Sequence, residues 1–134
     1  MAAAPIFVGT PKSPSVRIST ANTLRDGTGT LGTIHTAGAS GAYFKGIRVQ
    51  FESASTANVI RIFKQDAGAG NNELIKELLI PAITPSATIE AASQVWLPEE
   101  GIVLSAGTVL KAGIHTSAAG AEIASVSAVG GGDN

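Results

Sequence analysis

From Ile47 to Glu52 the chain alternates strictly between apolar and polar side chains: Ile47, Val49 and Phe51 against Arg48, Gln50 and Glu52. Successive side chains of a strand point to opposite faces, so the stretch 43–53 reads as a strand with one buried and one wet face. Most of the remaining chain follows the same style, as short apolar stretches separated by turn chemistry. Val16–Thr20, Leu31–Thr36, Asn58–Lys64, Ser86–Ala91, Gln94–Leu97, Ile102–Leu104, Thr108–His115 and Ala121–Val129 are the further strand candidates. Many of their residues are β-branched and suit a pleated surface. Between them lie turn-forming runs such as Asp26-Gly27-Thr28-Gly29, where aspartate can bond its own backbone and glycine accepts positive φ.

Glu73–Ile80 is the ambiguous segment. Its Leu74, Ile75, Leu78 and Leu79 would suit one face of a helix, but Pro81 stops it after about two turns, and helices that short are marginal. The expectation is a strand hairpinned to 58–64. No long amphipathic helix separates the strands, which argues against βαβ units and a parallel sheet. Roughly eight strands at this spacing point to an all-β fold, an antiparallel β-sandwich of which the jelly roll is the commonest eight-stranded form.

The ends look different. Residues 1–15 carry Pro5, Pro11 and Pro14 and read as an extended N-terminal arm, because proline fixes φ and removes a donor. Inside it, Ile6, Phe7 and Val8 are too apolar for a free tail, so the arm docks, either on its own domain or on a neighbour. Pro5, Ile6, Phe7, Val8 and Pro11 are therefore the candidate partner-binding residues. Residues 16–129 make up the β-sandwich domain, and Gly130-Gly131-Gly132-Asp133-Asn134 reads as a flexible C-terminal tail.

A length of 134 residues fits one domain with a modest core. Charged residues are only 14% and the net charge is −1, so a lone monomer is a solubility risk and a partner covering part of the surface is expected. Arg17, Arg25, Arg48, Arg61 and the lysines are scattered, which speaks against a nucleic-acid patch. The N-terminus lacks the basic start and apolar core of a signal peptide, and no apolar run is long enough to span a bilayer. With no cysteine, neither disulfides nor a thiolate metal site is expected, and the chain leans towards a reducing cytoplasm.

Little in the chain suggests catalysis, and no cofactor is expected. The two histidines, His35 and His115, each fall in a strand candidate. They could face each other across a sheet, but no carboxylate lies nearby in sequence, and a surface or subunit-contact role is the simpler reading. Glu99-Glu100 sits between Pro98 and Gly101, a turn that points adjacent carboxylates apart and into water. The string from Asp26 to Gly32 lacks the lysine of a Walker loop and the strand-to-helix context of a dinucleotide fingerprint. Asp66, Asn71 and Asn72 lack the regular spacing and terminal glutamate of a calcium loop. Trp96, the single tryptophan, is either a core anchor or an interface hot spot.

Two stretches carry a family resemblance. Thr20-Ala21-Asn22-Thr23 with Arg25-Asp26-Gly27-Thr28-Gly29-Thr30 resembles a stretch of small structural proteins of tailed bacteriophages. Leu97-Pro98 followed by Gly101-Ile102-Val103-Leu104-Ser105-Ala106-Gly107-Thr108-Val109-Leu110 resembles the late strands of jelly-roll virion proteins. The likeness spans most of 16–129, and its motifs are turn chemistry. It implies a capsid decoration (cement) protein: non-enzymatic, β-rich, a homotrimer where capsomers meet, with the major capsid protein as partner. The implied location is the outer surface of the virion, after assembly in the host cytoplasm. A tail, neck or fibre-base component is the alternative, separable by copy number per particle. A carbohydrate-binding jelly roll would want exposed aromatics, and aromatic residues are only 4% of this chain. A cupin-type enzyme would want a histidine-rich metal triad, which two separated histidines do not supply.

Overall fold

The alternation at 47–52 separates the faces as expected: Ile47, Val49 and Phe51 are at most 1% exposed, while Arg48 stands in solvent. The computed structural model describes residues 8–117 and 121–134. Within them the chain forms twelve strands and no helix. These are β1 (Thr10–Lys12), β2 (Ser15–Ile18), β3 (Gly32–Thr36), β4 (Ala42–Phe44), β5 (Gly46–Phe51), β6 (Asn58–Gln65), β7 (Glu73–Ile80), β8 (Ser93–Trp96), β9 (Ile102–Leu104), β10 (Val109–Ile114), β11 (Ala124–Val129) and β12 (Gly131–Asp133). Every pairing between them is antiparallel.

The strands form three four-stranded sheets, in the orders β1-β12-β4-β9, β3-β10-β6-β7 and β2-β11-β5-β8. The first and third run into one another. β4 continues into β5 through Lys45, β11 into β12 through Gly130, and β1 into β2 through Ser13 and Pro14. Hydrogen bonds from Lys45 N–H to the Val129 carbonyl and from Ala128 N–H to the Pro14 carbonyl carry the ladder around the bend. Side chains from all three sheets meet in one apolar core, with Phe44 and Ile102 from the first, Ile60 and Leu110 from the second, and Val49 and Val126 from the third. The architecture is therefore sandwich-like.

Several sequence expectations are corrected. The roughly eight expected strands are twelve: of the ten candidate stretches, 43–53 breaks into two at Lys45 and Ser86–Ala91 forms none, while each chain end adds a strand. Gly130-Gly131-Gly132-Asp133 is not a loose tail: β12 pairs with β1 on one side and β4 on the other. The glycines serve fit rather than flexibility. A Cβ at Gly131 would collide with the Tyr43 carbonyl, and one at Gly132 with the Thr10 carbonyl, while Gly130 makes the bend at φ 72°. Ser86–Ala91 forms no strand, because Ser86 closes the chain on itself. Its backbone exchanges bonds with Ile89, and its hydroxyl accepts from the Thr88 N–H. By contrast, 73–80 is the expected strand, paired with β6 from Asn58↔Ile80 to Lys64↔Glu73.

The long connection between β2 and β3 covers Arg61 on the outer face of β6. Ile60 to Phe63 are all buried, so both faces of this strand are dry. Arg61 lies under the connection, 1% exposed, and donates from Nη1 to the Asn22 carbonyl at 3.3 Å. The connection is held by Asn22, whose amide donates to the carbonyls of Thr28 and Thr30 and accepts from the Leu24 N–H.

Gly131→Val should cost about 2–3 kcal/mol, as expected of an overpacked site. Gly70→Ala, where an added Cβ meets nothing within 4 Å, should stay within about 0.5 kcal/mol. Urea unfolding of both variants checks this, and equal effects would contradict the fitted role of the C-terminal glycines.

Candidate functional site

The candidate arm residues divide. Pro5, Ile6 and Phe7 lie outside the described residues, Val8 is half-buried, and Pro11 is exposed in the middle of β1. β1 is an edge strand, where a residue without an N–H does no harm to the ladder. Thr10, Pro11 and Lys12 pair with Asp133, Gly132 and Gly131, so this part of the arm docks on its own domain.

The chemistry-bearing side chains noted in the sequence are not brought together. His35 Nε2 lies 2.9 Å from Asp133 Oδ1, with its ring edge-on to Phe44. His115 follows the end of β10, and its Nδ1 lies 2.9 Å from Arg61 Nη2. A guanidinium only donates, so His115 Nδ1 is the acceptor in that bond. Glu99 and Glu100 are exposed in a turn closed by Gly101 N–H on the Pro98 carbonyl. Asp66 lies 3.5 Å from Lys64 Nζ, whereas Asn72 reaches away to the Gly27 carbonyl. Among the described residues, no cluster of three or more histidine, cysteine, aspartate or glutamate side chains could hold a metal ion.

The carboxylates that are perturbed are structural. Asp133 accepts from His35 and from the Gly38 N–H, and these bonds hold its carboxyl below the usual range. Glu77 feels burial, which raises it, but hydrogen bonds and charge from Arg25 and Arg61 outweigh this and hold it low. The Thr28 hydroxyl and N–H do the same for Asp26. Glu122 is buried and accepts from the N–H and hydroxyl of Thr56.

Two surface features remain. The first is an apolar strip along β8 and β9, where Val95, Leu97 and Val103 are 51%, 54% and 72% exposed. Val103 pairs with Tyr43 and Val95 with Arg48, so the strip follows the outer face of the bent sheet at its edge. Leu79, 70% exposed, lies on the neighbouring edge strand β7, whose carbonyl at that residue accepts from Gln94. Trp96 turns the other way: it is half-buried against the core, with Lys76 Nζ 5.9 Å from its ring centroid. The second feature is an open cleft of about 490 Å³ on the outer face of β2, β11 and β5, lined by Lys12, Ser15, Arg48, Gln50, Ser125 and Ser127 among others. Sequence reasoning marked Arg48 and Gln50 as a wet face but missed the cleft. The alternation of Ser125 and Ser127 with Ala124, Val126 and Ala128 was its local signal, but the Ser127↔Arg48 and Ser125↔Gln50 pairing is long-range.

Asp133 has a depressed folded-state pKa, so its contribution to stability is present above its unfolded value and is lost as pH falls through the folded one. The melting temperature of Asp133→Ala should lie below that of the parent at pH 7, with the gap closing as the pH drops below about 4. A gap independent of pH would show that the carboxylate is not what ties β12 to His35 and Gly38.

No protein-family model, no curated protein and no solved structure matches the chain.

Proposed function

We propose that the chain is a structural virion protein: a jelly-roll capsid decoration, or cement, protein that stabilises a phage head by binding between capsomers. In this reading it assembles in the host cytoplasm, acts as a homotrimer on the outer capsid surface, and has the major capsid protein as its partner. It performs no catalysis.

Strand order supports the jelly roll. Joined across their bends, β1/β2, β11/β12, β4/β5 and β8/β9 make one long sheet, facing β3-β10-β6-β7. Counting the eight joined strands in chain order, one sheet runs first, last, third, sixth and the other second, seventh, fourth, fifth. That interleaving is the order a double Greek key of the jelly-roll kind would have, and it supports this reading.

The observation that carries the assembly reading is the β8–β9 edge. Soluble proteins blunt exposed edges with charge, proline or a covering element. β1 has Pro11 and Lys12, and β7 has Glu73, Lys76 and Glu77. Within their ladders β8 and β9 combine exposed Val95 and Val103 with no charged residue and no proline, which are confined to Pro98, Glu99 and Glu100 in the turn between them. An apolar edge of this kind is stabilised by a neighbour, and the low overall charge of the chain fits a subunit that is covered in use. The mechanism is adhesive: apolar surface shared across subunits must be exposed again before the shell can come apart.

Sedimentation velocity of the purified chain tests this. The parent should sediment as a closed oligomer, and Val103→Asp as a folded monomer with unchanged β-sheet circular dichroism. A parent that stays monomeric at every concentration would sink the proposal.

A further inference from the structure

We propose that the cleft across β2, β11 and β5 binds an acidic saccharide chain, rich in hydroxyls and bearing carboxylates. The cleft lies on the outer face of its sheet, away from the apolar core. At about 490 Å³ it falls within the range of about 300–1,000 Å³ typical of small-molecule sites.

Its floor is set by register. Ser127 lies opposite Arg48, and Ser125 opposite Gln50, so two small hydroxyl side chains run along the middle strand between longer polar ones. Ser15 pairs with Ser127 from the other side. Ser125 lies between Gln50 and Arg17, and Ser127 between Arg48 and Ser15, so three small hydroxyl side chains leave a hollow beside the longer ones. Gln50 donates its amide to the Phe51 carbonyl, leaving its Oε1 as an acceptor for a ligand hydroxyl.

Charge selects the ligand. Glu52, at one end, is neutralised by Arg17, whose Nε lies 2.8 Å away. The Arg48 side chain has no hydrogen-bond or ion-pair partner among the described residues, and Lys12 lines the same cleft. The cleft therefore offers one free planar guanidinium fork, suited to bidentate recognition of a carboxylate, beside an ammonium. Among the described residues no aromatic side chain lines it, so recognition there rests on charge and hydrogen bonds rather than on ring stacking. Serine hydroxyls, a glutamine amide and an unpaired arginine match a hydroxylated ring carrying a negative group.

Titration calorimetry with a uronate trisaccharide, on the full chain, tests the proposal. Binding is expected, weakening as salt rises, with affinity at least tenfold lower in Arg48→Gln. Arg48 is exposed, so that variant should keep the parental melting temperature, and Ser127→Val, which blocks the floor, should weaken binding independently. No binding by the trisaccharide, or equal binding by parent and Arg48→Gln, would overturn it. So would equal affinity for the carboxyl-reduced trisaccharide, for inorganic sulfate alone, or for a single-stranded oligonucleotide.

Discussion

Three residues without side chains let the last strand close the structure. β12 is squeezed between β1 and β4, and at Gly131 and Gly132 the neighbouring carbonyls stand where a Cβ would be. With the strand seated, the bend at Gly130 and Lys45 turns one end of the long sheet without breaking its ladder. Asp133 then reaches across to His35 on β3 and to the Gly38 N–H, tying that end to the opposing sheet. Remove this strand and β1 loses its one ladder among the described residues, while β4 exposes a row of unpaired groups. The ordering of the C-terminus is therefore a condition for the rest of the core to be enclosed.

This explains which features were legible in the chain and which were not. Ile47, Val49 and Phe51 declared a half-buried strand because the signal is local and has period two. The strand at 73–80 was readable because Pro81 ruled out a longer helix. Gly130 to Gly132 were misread because glycine signals freedom when seen alone and close approach when seen beside Tyr43 and Thr10, which are remote in sequence. Ser86 lost its strand to a local hydroxyl bond, a competition that β-propensity does not weigh. In the sequence Arg61 is one of several scattered charges. Its burial depends on the distant Asn22, Glu77 and His115, and on a connection folding over β6.

The same limit applies to function. A catalytic centre announces itself by residue type, whereas surfaces that bind are defined by which strands become neighbours. The apolar edge at Val95, Leu97 and Val103 and the polar cleft at Arg48 share the outer face of one bent sheet, and they meet where Arg48 pairs with Val95. Under the two proposals the edge would take a protein neighbour and the cleft a hydrated ligand, and neither surface blocks the other. The perturbed carboxylates Asp26, Glu77 and Asp133 are all engaged in holding loops and strands.

Electron cryomicroscopy of phage particles assembled in the presence of this chain tests the proposed adhesive role without intermediaries. The account predicts many copies on the outer shell, each with β8 and β9 pressed against a neighbouring subunit and the Arg48 face open to solvent. Copies seated with that edge in solvent, or particles from which the chain is missing, would contradict it.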